Sequence, residues 1–201
     1  MKRKKKTRRK SFFTENYRES LNYIRDSRNF IYSVIIIFLF FSLIGFFIPA
    51  PPLLEEKILE FIEELLRKTE GMSQGELIRF IFLNNIQSSF TGMPFGIILG
   101  VFPLIATLTN GYVLGFVAAK SAENGGIFVL WRILPHGIFE LPALFISLGL
   151  GVKLGTFIFK KNKFETLTTY MIKSIKVFFF IIIPLLIIAA IIEGSLIFVL
   201  K

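Results

Sequence analysis

Residues 30–48 read FIYSVIIIFLFFSLIGFFI, a run without a single charged side chain. A helix of about 20 largely apolar residues is long enough to cross a hydrocarbon core about 30 Å thick. Pro49, Pro51 and Pro52 follow this run, and a proline inside a helix removes a backbone hydrogen bond and clashes with the preceding turn. The stretch therefore predicts a membrane-spanning helix from Phe30 to Ile48.

The 201-residue chain as a whole is also rich in apolar residues. Hydrophobic residues make up 53% of it, including 25 Phe, and they occur in blocks instead of at the periods of a soluble helix or strand. A signal peptide would have a shorter apolar run followed by small residues at a cleavage site, and prolines follow here instead. We therefore expect an all-α, multi-span helical bundle, residues 30–201, in the lipid bilayer of the cell membrane.

Four further passes are predicted after the first. The apolar stretch Phe80 to Ala119 is interrupted by polar and turn-forming residues, and we divide it into two passes that meet near Asn110 and Gly111. Ile127 to Leu150 and Val177 to about Val199 complete a bundle of about five spans, with broken or re-entrant helices. The competing topology has three spans and a long re-entrant hairpin.

The distribution of charge predicts the orientation. Met1 to Asn29 contains eleven Lys or Arg against three acids, and Gly151 to Lys176 contains six Lys against one Glu. Leu53 to Arg79 is instead acidic, with seven Glu against four basic residues, and its apolar residues share one helical face. Because basic loops stay inside, we expect a cytoplasmic amino-terminal arm, residues 1–29, and an amphipathic outer segment, residues 53–79.

Composition also excludes several classes of function. The net charge of +10 comes mainly from the amino-terminal arm, which suits anionic lipid head groups beside a span; nucleic acid is not an expected partner. The chain has no Cys and one His, so disulfides, thiolate sites and multi-His metal sites within one chain are excluded. We expect no metal and no other cofactor.

Several polar side chains fall inside the predicted spans, where a charge costs at least about 2.5 kcal/mol on insertion scales. Arg132, His136 and Glu140 are four residues apart and would form one stripe on an unbroken helix. Helix breaks or tight turns are predicted at Gly111, Pro135, Gly137 and Pro142. The predicted intramembrane polar cluster comprises Asn84, Asn85, Asn110, Arg132, His136 and Glu140, with Glu193 as a further candidate in the last span.

Two interpretations of this cluster remain open. In the first, these groups hydrogen-bond to one another and hold a kinked bundle together. In the second, they form a binding site or conduit for an ion or small polar solute, as broken helices do in many transporters. No metalloprotease motif is present, and spacing alone does not support a Ser-His pair, so we expect a non-enzymatic protein.

Glycines recur at intervals that permit close helix packing. Gly92, Gly96 and Gly100 are four residues apart, and Gly151 and Gly155 repeat the interval. Small residues at this spacing let helix backbones approach closely in lipid. The same pattern serves internal packing and the formation of a homo-oligomer equally well.

The string Pro135-His136-Gly137-x-x-Glu140-x-Pro142 combines residue types that are each unfavourable in an ordinary span. With Asn84-Asn85, the glycines of residues 92–100, Asn110-Gly111 and the later Gly151 and Gly155, it resembles the stage II sporulation protein M family. The resemblance covers Phe80 to Gly155. It implies an all-helical, multi-span membrane protein without an agreed catalytic set, whose namesake in spore formers resembles a scaffold for cell-wall-remodelling partners.

We therefore expect a membrane scaffold or assembly factor that recruits other membrane proteins or cell-envelope partners. The alternative is a channel or transporter that uses the Asn, His and Glu side chains. A role in sporulation does not follow from the motif, because relatives occur widely outside spore formers.

Overall fold

The computed structural model describes residues 12–126, 128 and 134–200, except for the side chains of 134–136 and 200. Within these residues the chain is helical and has no strand. The helices are α1 (Phe12–Asp26), α2 (Arg28–Phe47), α3 (Pro52–Thr69), α4 (Gln74–Gly92), α5 (Val101–Gly125), α6 (Leu134–Gly155), α7 (Lys163–Val177) and α8 (Ile183–Leu200). The predicted all-α class is confirmed.

Four segments are long and apolar enough to cross a membrane: Arg28–Phe47, Val101–Gly125, Gly137–Phe159 and Lys163–Val199. The first agrees with the span predicted from residues 30–48, and it ends before the prolines as expected. The amide of Ile48 still donates to the carbonyl of Ile44, 2.9 Å away, before the chain becomes extended. Helix α4 is not one of these four segments, because it is less apolar than they are.

The direction of the helices adds a fifth pass. Gly111 in α5 lies against the backbone of Phe38 in α2, and Gly115, one turn later, lies against Ser42. Because these residue numbers rise together, α2 and α5 run parallel. The chain must therefore return between them, and α4 is the helix that brings it back across the bundle.

The packing of α4 agrees with this direction. Near the start of α4, Gly194 of α8 lies beside Ile78, and near its end the ring of Phe90 lies 5.1 Å from that of Phe178. The two helices are therefore antiparallel along their whole length. The passes are α2, α4, α5, α6 and the continuous α7 and α8, which agrees with the expected number.

The predicted turn at Asn110 and Gly111 is wrong, because both residues lie inside α5. The Asn110 amide donates to the carbonyl of Ala106, 2.7 Å away, so its polarity is satisfied within the helix. The chain turns instead at Leu99 and Gly100, whose φ angles of 55° and 71° are both left-handed. A short 3₁₀ helix, Pro94–Ile97, leads into this turn.

Two other predicted helix breaks are also wrong. Gly137 and Pro142 lie inside the continuous helix α6. Pro135 lies in the first turn of the same helix, where its missing N–H costs no intrahelical hydrogen bond. Neighbouring helices cover one face of α6, which helps a proline-containing helix to persist in a membrane.

The last span begins earlier than Val177, the predicted boundary. Helix α7 starts at Lys163 and continues through a π-helical turn, Phe178–Ile182, into α8. Pro184 follows this turn, and a regular α-helix would press its ring against the carbonyl of Phe180. The wider turn accommodates the proline while the helix stays continuous.

The described parts of the two basic regions lie at the same end of the bundle. Lys176 of α7 pairs with Glu19 of α1 at 2.7 Å, and Lys153 at the end of α6 contacts Ser27 at the start of α2. The acidic helix α3 lies at the other end, where Glu55 pairs with Lys120 at 2.8 Å. The bundle therefore separates the basic and acidic segments as the charge pattern predicted.

Close packing in the bundle depends on glycine. A methyl group at Gly115 would overlap the Ser42 carbonyl, whereas one at Gly75 would meet nothing within 4 Å. We expect Gly115→Ala to push α2 and α5 apart and to lower the free energy of unfolding by about 1 to 3 kcal/mol. Thermal unfolding in detergent, monitored by gel filtration, measures the loss of stability.

Gly75→Ala is the matched control, because alanine favours a helix by up to about 1 kcal/mol over glycine. It should be neutral or stabilising. Equal stability of the two variants would contradict the close contact of α2 and α5.

Candidate functional site

The structure distributes the predicted polar cluster over three helices. Asn84 and Asn85 lie on α4, Asn110 on α5 and Glu140 on α6. His136 lies in the first turn of α6, but its side chain is outside the described part of the chain, and Arg132 is outside it entirely. The proposed stripe of Arg132, His136 and Glu140 is therefore described only at Glu140.

Asn110 and Glu140 are brought together in one groove between α5 and α6, which we call the α5–α6 groove. Its volume is about 610 Å³. The other residues that line it are apolar: Phe38, Leu65, Val113, Leu114, Val117, Gly137, Ile138, Leu141 and Leu144. An apolar groove with a few polar groups suits an amphiphile or an apolar side chain better than a hydrated ion.

Asn84 belongs to a different groove, between α4 and α5, which we call the α4–α5 groove. Its volume is about 370 Å³, and its other lining residues are Gln87, Ser88, Thr91, Gly92, Phe95, Phe102 and Ala106. Most of the polar groups in it come from α4, and α5 contributes an aromatic ring and a methyl group. Asn84 is thus separated from Asn110 and Glu140, which line the other groove.

Asn85 faces away from both grooves and into the bundle. Only 8% of the residue is exposed, and its Nδ2 has no hydrogen-bond partner among the described residues. A buried amide hydrogen without an acceptor costs about 1 to 3 kcal/mol. Among the described residues, Asn85 therefore makes none of the internal hydrogen bonds that the sequence suggested.

The hydrogen bonds that join the spans come from hydroxyl groups instead. The Ser147 hydroxyl of α6 donates to the carbonyl of Ser89 in α4, and the bond is buried. Nearer the acidic end, the Gln74 amide donates to the Ser195 hydroxyl at 3.0 Å. Glu193 is half-buried on α8, close to this second bond in sequence, and is not among the residues that line either groove.

Lys153 is a buried cation, although its place in the basic segment Gly151 to Lys176 predicted only a loop charge. It is 7% exposed, and its Nζ donates to the Ser27 hydroxyl at 2.9 Å. The Ser27 hydroxyl in turn donates to the carbonyl of Tyr23 at 2.6 Å. This chain of hydrogen bonds connects α6 to the junction of α1 and α2 at the basic end.

Two aromatic rings cover the same ammonium group. Nζ of Lys153 lies 4.0 Å from the centroid of the Tyr23 ring and 5.1 Å from that of Tyr170. Burial raises the pKa of Tyr23 to about 12, so its ring remains a neutral phenol at physiological pH. The position of Lys153 inside the apolar stretch 148–154 was the sequence signal for this arrangement.

The predicted close-packing glycines lie where α6 meets α4 and the following turn. A methyl group at Gly92 would come within 2.6 Å of the Leu148 side chain, and Gly96 lies against Gly151. Gly155 lies against Leu99 and Gly100. These glycines therefore contact one another within a single chain, which leaves them unavailable for the same contact between chains.

Comparison with known proteins gives a consistent picture. The profile of the family described as Stage II sporulation protein M matches residues 34–196. An uncharacterized protein of Methanocaldococcus jannaschii is 31% identical over 175 residues, which cover 84% of this chain and 78% of the relative. No solved structure matches the chain.

The two interpretations of Glu140 predict different results for Glu140→Gln. If the carboxylate stabilises the bundle, the variant should unfold at a lower temperature, because a charge-assisted hydrogen bond is about twice as strong as a neutral one. If it lines a conduit, transport should be lost while the melting temperature is kept. We expect the first result, measured by thermal unfolding together with ion flux into liposomes between pH 5 and 8.

Asn110→Leu is the matched control in the same groove. The Asn110 amide bonds only to its own helix in the described structure, so we expect a stability change within about 0.5 kcal/mol. If the unmodified protein carries a proton or solute flux and Glu140→Gln abolishes that flux, the result would contradict our expectation.

Proposed function

The chain belongs to the stage II sporulation protein M family, and we propose that it is a non-enzymatic membrane scaffold. In this proposal it recruits membrane or cell-envelope partners through its outer helix α3, with its amino terminus in the cytoplasm. Its apolar spans support a multi-pass membrane protein. The observation that carries the scaffold proposal is the uncovered apolar surface of α3.

Helix α3 has a wider apolar face than the bundle covers. Ile58, at the centre of this face, is buried, whereas Phe61 on one side is 55% exposed and Leu66 on the other is 65% exposed. Pro52 starts the helix at a position that suits proline, so its register is fixed from its first turn. The helix therefore presents two apolar edges beside its contact with the bundle.

The charged face of α3 adds specificity. The helix carries five Glu against one Arg and two Lys, which gives a net charge of −2. Two pairs, Lys57 with Glu60 and Lys68 with Glu64, are satisfied along the helix itself. The surface thus suits a partner with apolar residues and a modest excess of positive charge.

The separation of the two grooves favours a scaffold over a transporter. A conduit needs polar groups in a continuous path, and the described Asn84 and Glu140 side chains line different grooves. The α5–α6 groove is the feature that a transporter would use, since Asn110 and Glu140 both line it. Its mainly apolar walls make it a poor route for an ion.

Photocrosslinking tests the role of α3. With a photoreactive phenylalanine analogue at Phe61 or Leu66, we expect crosslinks in native membranes to one or a few defined proteins, identified by mass spectrometry. The control is Leu39 on α2, which is 54% exposed among the apolar residues of a span. Equal products from Leu39, or none from α3, would contradict the proposal.

A pair of substitutions separates packing from charge on the same helix. Phe61→Ser with Leu66→Ser should abolish binding of the partner protein to α3, because both apolar edges of the helix are lost. Glu56→Gln with Glu63→Gln should weaken binding of the partner but leave it detectable. These charges are exposed, and each contributes little to the binding free energy.

Labelling of single cysteines tests the proposed orientation. The native chain has no Cys, so Glu70→Cys, Glu123→Cys and Lys161→Cys each introduce one exposed thiol. By the rule that basic loops stay inside, a membrane-impermeant maleimide should label the first two in intact cells and Lys161→Cys only after lysis. The reverse pattern would overturn the orientation.

A further inference from the structure

Four uncharged side chains that can donate and accept hydrogen bonds form a stripe along α4, which we call the polar stripe. They are Asn84, Gln87, Ser88 and Thr91. Their spacing of three, one and three residues places them on one helical face. All four are exposed, and none is hydrogen-bonded to another side chain or to the backbone within the described part of the chain.

The polar stripe runs from the middle of the return pass toward the basic end of the bundle. The return pass runs from Gln74 to the turn at Gly100, and Gln87 is its midpoint. Ser89, between the stripe residues, is bonded to Ser147 of α6, two residues before Gly149, which lies against Ile31 near the start of α2. Hydrocarbon offers no hydrogen-bond partner at this depth, so a stripe that faced lipid would cost free energy at each group.

The surroundings of the stripe leave room for another helix. Helices α4 and α5 touch mainly near their turn, where the rings of Phe95 and Phe102 are 5.4 Å apart, and then diverge. The small residue Ala106 lines the α4–α5 groove beside the stripe. Small residues allow the backbone of a neighbouring helix to come close in lipid.

We propose that the polar stripe pairs with the polar stripe of a second copy of this chain. Each of its amides and hydroxyls both donates and accepts hydrogen bonds, so the stripe is complementary to itself and needs no opposite charge. Among the described spans, α4 alone carries such an uncovered stripe. A second copy therefore supplies the matching surface in the same membrane at the same depth.

The membrane dictates the symmetry of this pair. Both copies insert with the same orientation, so the twofold axis that relates them is parallel to the membrane normal. The two α4 helices then meet side by side, and each stripe residue faces its own copy. This surface is separate from α3, so the dimer does not depend on the proposed partner site.

Single cysteines on α4 test the pairing in native membranes. Under mild oxidation, Ser88→Cys and Thr91→Cys should form disulfide-linked dimers several times more readily than Leu83→Cys. Leu83 is the control because it is 51% exposed on the neighbouring face of α4, one to two turns before the two stripe positions. Equal yields from Leu83→Cys, or crosslinks from the stripe to a different protein, would overturn the proposal.

A double variant tests whether the stripe drives association. Asn84→Leu with Gln87→Leu should weaken self-association roughly tenfold, because each interhelical hydrogen bond in a membrane contributes about threefold. Energy transfer between differently labelled copies in liposomes measures this change, and gel filtration reports whether each copy stays folded. Unchanged association of a folded variant would overturn the proposal.

Discussion

The parallel contact between α2 and α5 determines the path of the chain. Two glycines one turn apart, Gly111 and Gly115, bring the backbones of these helices together at Phe38 and Ser42. Because two consecutive apolar spans run in the same direction, the segment between them has to cross back. That requirement makes α4, which is less apolar than the other passes, part of the membrane-spanning bundle.

Helix α4 carries polar groups on both its inner and its outer face. On the inner face, the Ser89 carbonyl accepts from Ser147, while the Asn85 amide nitrogen is buried without a partner in the described structure. On the outer face, the polar stripe is exposed and has no hydrogen-bond partner among the described residues. A helix with both features is stable in a membrane when another surface covers it, which is the physical basis of the proposed dimer.

The two ends of the bundle have different electrostatics. At one end, Lys153 is buried under two tyrosine rings and bonded to Ser27, and further lysines of α7 lie beside α1. At the other end, the acidic helix α3 is held to the bundle by Glu55 and Lys120 and leaves its apolar edges uncovered. Anionic lipid suits the first end, and a protein partner suits the second.

The sequence by itself determined the all-helical class, the first span, the separation of basic and acidic ends and the family resemblance. These follow from composition, charge and local motifs, which need no knowledge of neighbours. It misplaced the turn at Asn110 and Gly111, because the pair Asn-Gly is typical of turns. Here the asparagine bonds to the preceding turn of its own helix, and the glycine admits another backbone. Only the tertiary structure decided where the chain reverses, which polar side chains share a groove and which glycines are in contact, because each depends on what packs against that residue.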